Sequence, residues 1–192
     1  MNIRKLLLLT VALLLVGGSA VFADTVAQKV RIVFNKQTIE DGGILVDGKA
    51  YLGVREVGDL VQGMVAWDEK DKKVTVSKPN VHMFAMNGST PFGSVEKNQK
   101  VNFIVFAQID NLQADISAFK VTIADPYGDE TYIDGKTTKD KDFPTKDNFW
   151  FTTSDKFGYE FKSSGKYTIR FWMQPAGSSS MQVVSEKTII SK

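Results

Sequence analysis

Helix-spaced and alternating apolar positions divide the chain into a short mixed segment followed by a long run of strands. Between residues 44 and 78 the pattern reads hairpin, helix, hairpin. Asp47-Gly48 separates the apolar runs Ile44-Leu45-Val46 and Ala50-Tyr51-Leu52, the strongest short-range signal for a two-residue hairpin turn. From residue 54 to 61 the spacing becomes helical, with Val54, Val57, Leu60 and Val61 on one face and Arg55, Glu56 and Asp59 on the other. Gly63 is expected to end that helix, because the residue just past a helix often takes a left-handed backbone. Val65 and Trp67 then alternate with Ala66, residues 68–72 form a charged turn, and Val74 and Val76 alternate with Thr75 and Ser77.

Past Lys78-Pro79-Asn80 the pattern changes. Pro79 cannot donate to a ladder and biases Lys78 toward extended geometry, so this tripeptide is expected to be a connector. Short β-rich runs follow at 82–86, 101–109, 119–124, 131–133, 149–152, 157–161, 167–174 and 181–190. Asp125-Pro126-Tyr127-Gly128 and Pro175-Ala176-Gly177-Ser178 between them are turn chemistry. Seven or eight short strands at this spacing predict a β-sandwich. The run Gly165-Lys166-Tyr167-Thr168-Ile169-Arg170-Phe171 resembles the sixth-strand entry of immunoglobulin-like domains. That resemblance implies a Tyr167 hydroxyl capping backbone at a corner and an inward Ile169. Alternation puts Tyr167, Ile169, Phe171 and Met173 on one face and Thr168, Arg170 and Trp172 on the other.

Leu52-Gly53-Val54-Arg55, the short helix, Val65-Ala66-Trp67-Asp68 and Lys73-Val74-Thr75-Val76 resemble the copper amine oxidase N-terminal (stalk) domain. With the preceding strand Val30 to Phe34 and its Asn35-Lys36 turn, the likeness covers roughly residues 29–78. Gly53 stands where the family usually has Pro. The resemblance implies a non-catalytic α+β module, common in secreted and envelope proteins of Gram-positive bacteria, with Trp67 in its core. The redox chemistry of the oxidases belongs to another domain with several His ligands and a modified Tyr, neither of which this chain has. The fold class expected is therefore an α+β small stalk-like domain followed by an all-β immunoglobulin-like sandwich.

Export changes the reading of charge. Arg4 and Lys5, the apolar run from Leu6 to Val16 and the small Ala23 after Val21-Phe22 have the form of a signal peptide over 1–23. That run of eleven residues, apolar apart from Thr10, is too short for a span of about 20. The expected organisation is a leader at 1–23, the stalk-like domain at 24–79 and the sandwich at 80–192. Of 24 Lys+Arg and 22 Asp+Glu, the leader holds two bases and no acid, so the remainder carries 22 of each. A net charge of zero argues against nucleic acid or anionic membrane as partner. No cysteine is present, which excludes disulfides, thiolate metal sites, a Cys nucleophile and a lipid-modified Cys. The C-terminal Thr188-Ile189-Ile190-Ser191-Lys192 has no hydrophobic tail or sorting motif. The expected location is secreted, free or wall-associated.

Candidate chemistry is sparse. His82 is the single histidine and has no partner His or neighbouring nucleophile in sequence. There is no Gly-x-Ser-x-Gly elbow, and Gly42-Gly43 belongs to a turn rather than a phosphate loop. Asp125, Asp129, Glu130, Asp134, Asp140, Asp142 and Asp147 are interleaved with Lys136, Lys139, Lys141 and Lys146. The spacing is not that of a helix-loop-helix calcium site, and a solvated loop is expected. Trp150 and Trp172 each point opposite to flanking apolar residues, and an outward Trp can stack on a sugar or anchor an interface. They are the candidate contacts for a cell-wall polysaccharide or a protein partner. The function expected is a non-enzymatic binding or structural module without catalytic residue, metal or cofactor. The alternatives are a protease inhibitor presenting the loop at 137–148 and a wall-active hydrolase.

Overall fold

The first two turns show how directly local chemistry sets this backbone. In the computed structural model, which describes residues 28–155 and 157–192, strands β1 (Gln28–Phe34), β2 (Gln37–Val46) and β3 (Lys49–Leu52) form one antiparallel meander in the order β1-β2-β3. Asn35 and Lys36 have φ of 47° and 67°, and Asp47 and Gly48 have 49° and 72°. Left-handed φ at both central residues is what a twist-matched two-residue hairpin turn demands. Asp47-Gly48 is therefore the expected hairpin. The leader read at 1–23 lies outside the described residues.

The chain separates into two compact units, residues 1–51 and 52–192. The second opens with α1 (Val54–Leu60) and the hairpin β4 (Met64–Asp68) and β5 (Lys73–Ser77). It continues through β6 (Asn80–Asn87), β7 (Thr90–Pro91), β8 (Ser94–Val95), β9 (Gln99–Asn102), β10 (Ile104–Asp110), β11 (Ile116–Ala124) and β12 (Glu130–Thr137). Then come β13 (Phe149–Thr152), β14 (Gly158–Phe161), β15 (Gly165–Pro175) and β16 (Gln182–Ser191). The chain is thus mostly β, as expected.

Two sheets dominate the second unit: β13-β10-β6-β7, and β12-β11-β15-β16-β8, in which β8 joins β16 in parallel. Alternate residues of both point into one hydrophobic cluster. Met83, Ala85, Val105, Ala107, Ile109 and Phe151 enter from the first sheet, and Phe119, Val121, Ile123, Ile169, Phe171, Met173, Val184 and Ile189 from the second. Two sheets facing one another across shared apolar side chains is the arrangement of a β-sandwich. Phe119 sits at its centre, stacked on Phe171 at 5.4 Å between ring centroids and edge-on to Phe151 at 4.9 Å. The corner expected at Tyr167 is present: its buried hydroxyl donates to the Ser163 carbonyl at 3.1 Å and accepts from the Ser163 N–H at 3.0 Å. Ile169 is fully buried.

Two expectations need correction. The left-handed residue after α1 is Gln62 (φ 55°), not Gly63. Gly63 N–H bonds the Gly58 carbonyl at 2.8 Å and Gln62 N–H the Asp59 carbonyl at 3.1 Å, the paired bonds of a Schellman ending, whose positive φ falls one residue earlier. Trp67, expected in a core, is 48% exposed. Met64 is the β4 residue that enters the hydrophobic cluster. On the face carrying Val65 and Trp67, Gly58 of α1 lies against Val65, where a Cβ would fall 2.3 Å from Val65 Cγ2.

Residues on either side of Pro79 are in direct contact. Helix and hairpin pack with the sandwich. The Gln182 side-chain amide accepts from Val65 N–H at 2.7 Å and donates to the Val65 carbonyl at 3.0 Å, as a neighbouring strand would. Lys78 Nζ donates to the Gln62 carbonyl at 2.9 Å and to the Val184 carbonyl at 3.4 Å.

Candidate functional site

The two tryptophans singled out in the sequence lie on different sheets. Trp150 is on β13 and Trp172 on β15, each pointing away from the shared core. They therefore occupy opposite outer faces and form no common platform. Their surroundings differ just as much.

Trp172 is half-buried in a polar, charged face. Its indole N–H donates to Thr122 Oγ1 at 2.8 Å, and Lys120 Nζ sits 5.1 Å from the ring centroid. Beside it Arg170 pairs with Glu130 and, at 2.8 Å, with Glu186. The ring's donor is satisfied and its face is covered by a cation, which accounts for the residue within the sheet itself.

Trp150 is 75% exposed, and its neighbours follow from strand register. Trp150 lies opposite Gln108, which lies opposite His82; Phe106 lies opposite both Thr152 and Phe84; Ile104 lies opposite Met86. These residues share the outer side of the sheet, because Met83, Ala85, Val105, Ala107 and Phe151 take the inner side. Phe84 is 47% exposed, and Met86, Ile104 and Phe106 are partly exposed. The outward positions of three strands thus present Phe84, Met86, Ile104, Phe106 and Trp150 beside His82, Gln108 and Asp110, with Lys136 and Asp142 lining a cavity next to Trp150. Phe84, Phe106, Ile104 and Met86 were not legible as a surface beforehand: the signal is strand alternation, but it needs the register of three separated strands.

A second surface was missed altogether. A groove of about 1000 Å³ runs between the α1–β4–β5 segment and the turn before β16. Arg55 and Asp59 line it from α1, Trp67, Glu69, Lys73 and Thr75 from the hairpin, and residues 176–182 from the opposite side. Trp67 is held there by its own N–H, which donates to Glu69 Oε2 at 2.7 Å. Lys72 pairs with the same carboxylate. These donors, Lys72 first and Trp67 second, hold the Glu69 carboxyl below its ordinary range. The helical spacing of Arg55 and Asp59 was visible in sequence; the exposure of Trp67 was not.

The remaining candidates are placed in structural roles. His82 is exposed on the outer face of the first sheet. Asp125 accepts from the N–H groups of Tyr127 and Asp129 at 2.8 and 3.0 Å, and Asp134 from those of Gly135 and Ser154, both at 2.8 Å. Asp140 accepts from Thr137 N–H at 2.7 Å. Asp142 pairs with Lys136, which holds its carboxyl below the usual range. Among the described residues no group of three or more His, Cys, Asp or Glu could hold a metal ion, and no helix is long and apolar enough to cross a membrane. The loop at 137–148 is tied back by Phe143, stacked on Phe119 at 5.9 Å, and by Leu112 N–H donating to the Asp147 carbonyl at 3.1 Å. Compared with known proteins, the chain matches no family model and no curated protein sequence.

Proposed function

We propose that this chain is a non-catalytic binding module, exported to the cell envelope or beyond it, whose immunoglobulin-like sandwich presents the outer face of its first sheet to a protein partner. Export rests on the leader pattern at 1–23. The immunoglobulin-like assignment is supported by the strand order of the two facing sheets, the short parallel strand joined to β16 and the Tyr167 corner. The stalk-like assignment of the first part is supported by the order hairpin, helix, hairpin through β2, β3, α1, β4 and β5.

The observation that carries the binding function is the contrast between the two outer faces. One is a net of ion pairs around Arg170. The other offers Phe84, Met86, Ile104, Phe106 and Trp150, with the charged groups Asp110, Lys136 and Asp142 only at its margins. Aromatic and Met enrichment with loss of charge is the composition of an interface centre. Contiguous exposed apolar surface is what a monomer ordinarily avoids. The His82, Asp125, Asp134 and Asp142 side chains are spread over separate strands and turns and support no acid–base pair.

The test is capture of surface proteins from intact cells by the full exported chain, compared with its Trp150→Ser and Phe84→Ser variants. Because both side chains are exposed, folding is expected to persist, with stability changes within about 0.5 kcal/mol for Trp150→Ser. A partner that binds the parent is expected to lose about 2 kcal/mol or more of binding energy with Trp150→Ser. Equal affinity for parent and both variants would remove this face from the function.

A further inference from the structure

The Trp67 groove is a site of a different kind, and we propose that it binds an uncharged glycan, a chain of pyranose rings seated on the indole of Trp67. Three properties of the lining point to that ligand class. First, the aromatic platform is pre-set. Trp67 is about half exposed, and its N–H is already committed to Glu69, so the ring is oriented while its face stays open. A rigid aromatic plane presents apolar area to the C–H face of a sugar at little entropic cost.

Second, the charges of the groove cancel. Arg55, Lys70 and Lys73 are matched by Asp59, Asp68 and Glu69. A polyanion such as a phosphate-linked polymer would need a net basic lining. A neutral polymer needs instead donors and acceptors side by side. The side chains of Arg55, Asp59, Lys70, Lys73 and Thr75 make no hydrogen bond or ion pair among the described residues, unlike Arg170 and Lys136 elsewhere. They are available to hydroxyl groups.

Third, the main chain that a peptide would pair with is already engaged at Val65. Both backbone polar groups of Val65 are taken by the Gln182 amide, so strand addition at that point is blocked. The opposite side carries the hydroxyls of Ser178, Ser179 and Ser180. At about 1000 Å³ the groove lies at the upper end of ligand-site volumes, about 300–1,000 Å³.

The experiment is calorimetric titration of the full exported chain with cellohexaose, chitohexaose and maltohexaose, beside dextran sulfate and a casein digest. Trp67→Ala is expected to weaken binding of the preferred hexasaccharide by about tenfold or more, a loss of about 1.4 kcal/mol. Trp67→Phe, which keeps a ring but has no N–H for Glu69, is expected to fall between. Tyr127→Ala removes a well-exposed aromatic outside the groove and is expected to leave the affinity within about twofold, the scatter of surface substitutions. Unchanged melting of the variants ensures that lost binding is not lost folding. The proposal is overturned by no response to any of the three neutral sugars, by equal binding of parent and Trp67→Ala, or by a Trp67-dependent response confined to dextran sulfate or to the peptide digest. The partner face around Trp150 is tested separately, so either result can fail alone.

Discussion

At the scale of single residues, Trp67 and Glu69 form a pair whose behaviour with pH is fixed in sign. Glu69 titrates below the ordinary glutamate range because Lys72 and then Trp67 donate to its carboxylate. A carboxyl lowered on folding gives its full contribution above its unfolded value and loses it as pH falls through the lowered one. The Trp67 indole N–H is therefore expected to shift in nitrogen-edited NMR spectra with a midpoint below that of an ordinary glutamate. Glu69→Gln should abolish the titration. A midpoint at or above the ordinary range would mean that the tether does not form in solution. Neither the tether nor the exposure of Trp67 was legible beforehand. Alternation states which side chains share a face of a strand; it does not state which face another element covers. Here the covering helix meets the hairpin at Gly58 and Val65, and Trp67 two residues on is left half open.

At the scale of elements, local signals were read best where one backbone geometry had a single chemical solution. The Asp47-Gly48 turn is such a case, as is the strand opened by Gly165 and Tyr167. The end of α1 shows the opposite situation. A glycine stood one residue from the position that needed it, and Gln62 took the left-handed conformation instead. A non-glycine residue there costs roughly 1–2 kcal/mol, part of which glycine would lose again through its freer unfolded chain. Gln62→Gly is expected to raise stability by about 0.5–1 kcal/mol in urea denaturation, since the bond from Lys78 reaches the backbone carbonyl and survives the change. A decrease would show that the Gln62 side chain contributes more than its backbone costs. The aromatic face around Trp150 was only half legible, because Phe84 and Phe106 become neighbours of Trp150 through pairing between strands far apart in sequence.

At the scale of the whole molecule, the helix and hairpin belong energetically with the sandwich. Met64 is buried in its hydrophobic cluster, and Gln182 completes the hydrogen bonding of Val65. A chain beginning at residue 80 would lose the Met64 side chain and leave the Gln182 amide without its partner. It is expected to be about 3–5 kcal/mol less stable than one beginning at residue 52, combining a large-to-small core loss with an unpaired polar group. Chemical denaturation of the two fragments checks this, and equal stability would support independent folding on either side of Pro79. Sequence periodicity points to Pro79 because it detects where patterns change, and it carries no information on contacts such as those of Met64 and Val65 made across that point. The placement of the tryptophans carries a practical corollary. None of Trp67, Trp150 and Trp172 is in the hydrophobic cluster, which is filled by phenylalanine, methionine and aliphatic residues around Tyr167. Indole fluorescence therefore reports chiefly what touches the surface and the partly covered ring of Trp172, while tyrosine ellipticity follows the loss of the interior around Tyr167.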